Sequence, residues 1–242
     1  MCTLTFLPSN NTYIFTSNRD EHESRSATLF PVIDERNNIE IYFPQDPKAG
    51  GTWLATSNTQ KLTVLLNGAF KKHSYSPPYR KSRGIVLLDV YNYESLYSFS
   101  KEYDLENIEA FTIVEFDLNK PDRLLEFRWD GKKGFIKELD AKVPHIWSSA
   151  QLYSVDVRKR REKWFSELLQ SDLDAEKLIR FHEFGGAKDD KNKINMNWGF
   201  GLRTISISQL IIKNDSSKFE YKNLVNNTDA VHWIKPKSPS NG

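Results

Sequence analysis

The sequence predicts an α+β fold in one layered domain. Three observations carry the prediction: strand-like segments of period two crowd residues 2–67, helical periodicity appears over 83–103 and 156–184, and strand patterns return at 110–148 and 203–224. With 242 residues, 38% of them apolar and 13% aromatic, the chain can bury a core of its own.

Residues 2–7 alternate, with Cys2, Leu4 and Phe6 on one face and Thr3, Thr5 and Leu7 on the other. Pro8-Ser9-Asn10-Asn11 is turn chemistry, and the β-branched and aromatic run 12–17 makes the return strand of a hairpin. If Leu7 pairs near Thr12, antiparallel counting brings Cys2 opposite Ser17 or within about two residues of it. Short strands follow at 39–43, 52–56 and 62–67, separated by Gly, Pro, Asn and Asp clusters.

Residues 83–103 carry Ile85, Leu88, Tyr91 and Leu96 on one helical stripe, which Tyr91-Asn92-Tyr93 can divide in two. Strands are expected at 110–116 and 123–129 across Asn119-Lys120-Pro121-Asp122, then at 134–139 and 143–148, and together they imply a second sheet. Helices at 156–170 and 174–184 follow, the latter capped by Asp172 or Asp174 and stopped by Gly185-Gly186. Two late strands, 203–213 and 218–224, return to the sheet. The domain is expected to span 1–234, with 235–242 a disordered tail of Pro, Ser and Gly.

Charge excludes some functions. The charged fraction of 27% is nearly balanced, at a formal net charge of +2, so no nucleic-acid partner is expected. Arg158-Lys159-Arg160-Arg161-Glu162-Lys163 reads as the solvated face of a helix whose inner side holds Trp164 and Phe165. The first residues lack a basic, apolar leader, and no run reaches membrane-span length, so a soluble, cytoplasmic protein without a transmembrane segment is expected. A single cysteine excludes an intramolecular disulfide and a thiolate metal cluster. His22, His73, His145, His182 and His232 form no spaced metal motif; His22 and His73 are candidates for haem or substrate contact, beside core or surface roles.

That one cysteine is residue 2. Removal of Met1 would leave a thiol and a free α-amine on one carbon framework, and an amine of ordinary pKa, about 7.7–8.0, is neutral often enough to take the thiol proton. Asn18-Arg19-Asp20-Glu21 sets an amide, a guanidinium and two carboxylates at the hairpin end, where Asp20 could hold the amine and Arg19 a carboxylate or a thiolate; a charged turn with an internal salt bridge is the alternative. Gly50-Gly51 could bring backbone N–H groups to a ligand or simply form a tight turn. The basic, aromatic, Pro-broken run 71–81 suits a loop over a pocket for an anionic or amphipathic molecule, or a solvated loop.

Met1-Cys2-Thr3, Ser17-Asn18-Arg19-Asp20-Glu21, Ala49-Gly50-Gly51-Thr52-Trp53, Leu66-Asn67 and Ser82-Arg83-Gly84, in that order, resemble the NRDE family, also called the Transport and Golgi organisation 2 family. Trp147-Ser148-Ser149 and Gly201-Leu202-Arg203-Thr204 extend the resemblance to the end of the fold. That family is similar to N-terminal-nucleophile hydrolases of the penicillin V acylase and bile salt hydrolase type. The resemblance implies an αββα sandwich of two mainly antiparallel sheets flanked by helices. It also implies cleavage of a non-peptide amide by Cys2, with Asn18, Arg19, Asp20, Asn67 as oxyanion donor, and Arg203 around the nucleophile. Glu21, Gly50, Gly51, Trp53, Arg83 and Ser149 are implied on the substrate side, and no cofactor is required. Two positions depart from the hydrolases: Ser17 stands for an arginine and Ser149 for an asparagine. The alternative is a non-catalytic carrier of haem or of an acyl-CoA or lipid ligand; a redox thiol is a third reading, without a resolving cysteine.

Overall fold

Two strands fold back on each other at the N-terminal end of the chain, β1 (Thr3–Ser9) and β2 (Thr12–His22), in a computed structural model that describes residues 3–25 and 28–237. Asn10 and Asn11 close the hairpin at φ 47° and 59°, a left-handed pair that asparagine tolerates better than most residues. The turn is two residues shorter than expected because Pro8 and Ser9 stay in the strand, so Leu7 meets Ile14 and Leu4 meets Ser17. Thr3 lies opposite Asn18. Cys2 lies outside the described residues.

The first sheet runs in the order β10 (His145–Ser148), β1, β2, β12 (Leu202–Ile212), β13 (Ser217–Asn223), β14 (Thr228–Ile234), with β11 (Asn197–Gly199) beside the start of β12. The second is a meander in chain order: β3 (Leu29–Arg36), β4 (Ile39–Gln45), β5 (Leu54–Ser57), β6 (Lys61–Asn67), β7 (Phe111–Asp117), β8 (Arg123–Trp129), β9 (Gly134–Asp140). Every pairing is antiparallel.

Leu4, Phe6, Phe15, Val64, Leu66, Phe116, Leu210 and Phe219 fill the space between the sheets. Helices α1 (Arg83–Asp89) and α2 (Leu96–Glu102) press Val86, Leu87 and Phe99 onto the outer face of the second sheet. Helices α3 (Val155–Leu168) and α4 (Ala175–Phe184) press Phe165, Leu178 and Phe181 onto the first. The layers are therefore helix, sheet, sheet, helix, the sandwich that the resemblance implied. Both faces of the central strands are covered, so even Thr3, Thr5, Thr16, Ser17 and Asn18 are fully buried.

Strand membership differs from the sequence expectation. Strands β7 to β9 extend the sheet of β4 to β6 instead of starting a new one, and only β10 crosses over to pair with β1. Three strands were not anticipated: the short β11 and two edge strands, β3 and β14. β3 begins with Leu29-Phe30-Pro31, and proline is tolerated there because β3 is an edge; β14 is the opposite sheet's edge and mixes Asp229 and His232 with Val231 and Trp233. The stretch 83–103 does divide, through a 3-10 turn at Val90–Asn92, and α2 restarts on a Ser95–Ser98 capping box. Asp174 caps α4 by accepting from Lys177 N at 2.8 Å, and Gly185 follows its last turn. The segment expected as a tail is still bonded at Lys237, whose backbone N–H donates to Asn58 O; residues 238–242 lie outside the described residues. No helix among the described residues is long and apolar enough to cross a membrane.

Candidate active site

Alternation along β2 sends its charged end to both sides of the first sheet. Arg19 and Glu21 turn toward the space between the sheets, while Asn18 and Asp20 turn toward α3 and α4. Arg19 is almost fully buried and lies over the Trp53 ring, 4.1 Å from its centre. It donates to Asp46 Oδ2 at 2.7 Å and to Arg25 O at 3.0 Å. Burial pulls the Arg19 guanidinium below its ordinary pKa, and the carboxylate of Asp46 opposes that pull. Arg25 also bonds Asp46 and meets Glu21 at 2.9 Å.

These groups line one end of a pocket of about 450 Å³. Its other walls come from Gly51 and Trp53 in the loop before β5, from Asn67 at the end of β6, from Ser82 and Arg83 at the start of α1, and from Tyr75, Tyr79 and Lys81 of the basic loop. Glu109 holds Arg83 at 3.1 Å and His73 at 3.0 Å, and Asp89 holds Lys81 at 2.7 Å. The cations are thus compensated at rest, and the pocket presents guanidinium edges, tyrosine rings and an amide to an entering molecule. Asn67 ends β6, and its side-chain amide has no bonding partner among the described residues.

Gly50, Ser149 and Arg203 do not line the pocket, and Gly51 lines it as part of a backbone turn. Gly50, at φ 68°, shapes the turn that returns its N–H to Asp46 O, and Gly51 packs so tightly on Gly84 that a Cβ would lie 2.5 Å from the Gly84 carbonyl carbon. The glycine pair therefore forms a turn and a close backbone approach. Ser149 donates its hydroxyl hydrogen to Asn67 O at 2.8 Å and so holds Asn67 from behind the pocket. Arg203 is paired with Glu21 across the strands, yet its guanidinium reaches Leu224 O at 3.4 Å and does not line the pocket.

On the helix side, Asp20 accepts hydrogen bonds from Tyr153 Oη at 2.6 Å and Thr204 Oγ1 at 2.5 Å. Asn18 donates to His182 O and Ile194 O, which fixes its Oδ1 as acceptor, so His182 Nδ1 carries the proton and Thr5 Oγ1 donates to His182 Nε2. Burial, reinforced by the charge of Arg161, pushes the His182 pKa down to about 3, so the ring is neutral.

Arg161 overturns the reading of 158–163 as a solvated face. It is fully buried, stacks on Tyr153 at 3.7 Å, and donates to Thr3 Oγ1 at 2.6 Å and to the carbonyls of Asn192 and Lys193. It has no carboxylate partner among the described residues, so backbone and hydroxyl dipoles and the Tyr153 ring face solvate its charge. Sequence reasoning also missed Asp46, Arg25, Tyr153 and Thr204. Helical spacing from Trp164 and Phe165 could have marked Arg161 as inward; nothing local marks Asp46. Among the described residues no three His, Asp or Glu side chains gather as a metal site would need.

The Transport and Golgi organisation 2 family model matches residues 1–219. No curated protein matches the sequence. Among solved structures, the chain superposes on the Caenorhabditis elegans ortholog of N-acylethanolamine-hydrolyzing acid amidase with a TM-score of 0.59 and 12% identity, over 86% of this chain and 92% of that one. It is also similar to a conjugated bile acid hydrolase from Clostridium perfringens (TM-score 0.54, 12% identity, 96% and 92% covered). A penicillin V acylase from Agrobacterium tumefaciens gives 0.55 and 10%, with 97% and 86% covered. At such identities the likeness is one of fold, that of the N-terminal-nucleophile hydrolases.

Proposed function

The chain belongs to the Transport and Golgi organisation 2 family, and on that premise we propose that it is an N-terminal-cysteine hydrolase-like protein acting on a non-peptide amide bond of a small amphipathic or anionic molecule. The observation that carries the reading is the seat of Thr3. It lies between Asn18 and Ser148, and Ser149, the next residue, is bonded to Asn67 on the pocket wall. Alternation carried back from Leu4 predicts for Cys2 the face shared with Ser17 and Arg19, which is the pocket face.

In this reading the Cys2 α-amine takes the thiol proton, and Sγ attacks the amide carbonyl carbon. The Asn67 amide donates to the oxyanion, a contribution of about 2.7–4 kcal/mol for one such donor. The C–N bond breaks as the protonated amine returns its proton to the leaving nitrogen, and water then hydrolyses the thioester. Asp20, held by Tyr153 and Thr204, orients the ammonium from the helix side of the sheet.

A second reading is favoured by Ser149. Its hydroxyl hydrogen is committed to Asn67 O, so the site has one side-chain oxyanion donor where the hydrolase pattern has two. A carrier of haem or of an acyl-CoA or lipid ligand would need the pocket and no turnover. Titration of the wild type and of Cys2→Ala with haem and with acyl-CoA, followed by mass spectrometry, separates the two. An acyl adduct on wild-type Cys2 supports hydrolysis, whereas equal binding to both forms without an adduct supports carriage and overturns it.

A further inference from the structure

Between β11 and β12 the chain turns through Gly199, Phe200 and Gly201 at φ 78°, 51° and 79°. Glycine enters that region freely, but a phenylalanine does so against a steric penalty. Gly199 N–H donates to Asn197 Oδ1 at 3.1 Å and Gly201 O accepts from Glu23 N–H at 2.7 Å, which holds the turn at its two ends and leaves the Phe200 ring outside it. Phe200 is completely exposed, at 102% of its reference area, and a Cβ placed on Gly199 would have no atom within 4 Å, so the tip projects away from the body.

Trp198 accompanies it. Its ring meets Tyr153 edge-on at 5.7 Å, its Nε1 donates to Lys191 O at 2.7 Å, and 38% of the residue is left exposed to solvent. With the indole N–H satisfied internally, the tip can enter an apolar phase without stranding a donor. The adjoining loop is basic in excess: Asp189 is bonded to Arg160 and Asn192, Asp190 to Lys193, while Lys188 and Lys191 have no carboxylate partner among the described residues.

From this geometry we infer that the Trp198–Phe200 tip docks on a lipid surface, placing its two rings at the boundary between headgroups and acyl chains, with Lys191 beside anionic headgroups. A protein partner would need a surface of about 800 Å² shaped to match, and a convex tip with two rings offers no such patch. A fluid lipid layer requires no matching shape, and aromatic rings flanked by lysine favour its interface. The assignment stands on the tip alone and holds whether or not the site turns over an amide.

Flotation of the full chain with phosphatidylcholine vesicles, with and without phosphatidylserine, tests it. Wild type is expected to float at millimolar lipid, several-fold more on the anionic vesicles. Phe200→Ser is expected to lose about tenfold in partitioning, and Lys191→Gln to lose only the anionic preference. Ile33→Ser, which removes an exposed apolar residue on the distant β3 edge, is expected to bind as wild type. Phe200→Gly relieves the backbone strain, so it is expected to raise the thermal midpoint while abolishing flotation. The inference is overturned if wild type stays unbound on both vesicle types, or if Phe200→Ser floats equally well. It is also overturned if Phe200→Ser instead abolishes concentration-dependent self-association, which would make a second copy of the chain the partner.

Discussion

Both Arg19 and Arg25 lean on the carboxylate of Asp46, and Arg19 has no other ion pair among the described residues. Asp46→Asn would leave a buried guanidinium uncompensated, and a loss of about 3 kcal/mol or more is expected in urea unfolding. Lys163→Ala, at an exposed i,i+4 pair, is expected to change stability by less than about 0.5 kcal/mol in the same assay. His182 adds a pH dependence. Its folded pKa of about 3 lies below the ordinary 6.5, so between those values the unfolded chain holds a proton that the folded chain refuses. Stability is therefore expected to fall as pH drops from about 6.5 toward 3, by an amount on the order of a few kcal/mol, and His182→Gln should flatten that limb of the curve. Tyr153→Phe removes one of Asp20's donors; a loss of about 1–3 kcal/mol is expected, with slower formation of any Cys2 adduct.

The β1–β2 hairpin carries Arg19 and Asp20, and its turn was legible in the sequence to within two residues, since Pro8 and Ser9 stay in the strand and Asn10 and Asn11 make the turn. Where β2 ends was not. The polar run after Ser17 looks like a strand terminus, yet β2 continues to His22 because Tyr153, α4, Ile194 and β12 supply partners for Asn18 and Asp20 on one face while Trp53 and Asp46 receive Arg19 on the other. Buried polarity with partners 27 to 184 residues away cannot be read from local pattern. Arg161 differs: helical spacing from Trp164 and Phe165 marks its inward face, but its partners, Thr3 and the carbonyls of 192 and 193, lie far off in sequence. The loop before β5 has its own weak point. Gly51→Ala would drive a Cβ into Gly84, so a loss of about 2 kcal/mol or more and weaker ligand binding are expected, measured by thermal unfolding and titration.

At the scale of the whole molecule, the sequence listed most strands and both helix pairs but not their partners. Strands buried on two faces carry no outward polar stripe to say which sheet they join, so β7 and β8 could not be assigned to the sheet of β4 to β6. The family match stops at 219, inside β13, although β14 pairs with β13 from Ser217 to Asn223 and buries Ile234. Truncation after residue 227 would open the β13 edge, and a lower thermal midpoint with aggregation is expected in light scattering. What unites the scales is the N-terminal hairpin, where β1 lies between β2 and β10 and Arg19 and Glu21 of β2 line the pocket; the proposed function needs a free Cys2 amine there. Intact-mass spectrometry of the purified full chain tests that claim most directly. The account predicts a mass lower by one methionine, leaving the Cys2 amine free; a chain that keeps Met1 throughout would contradict it.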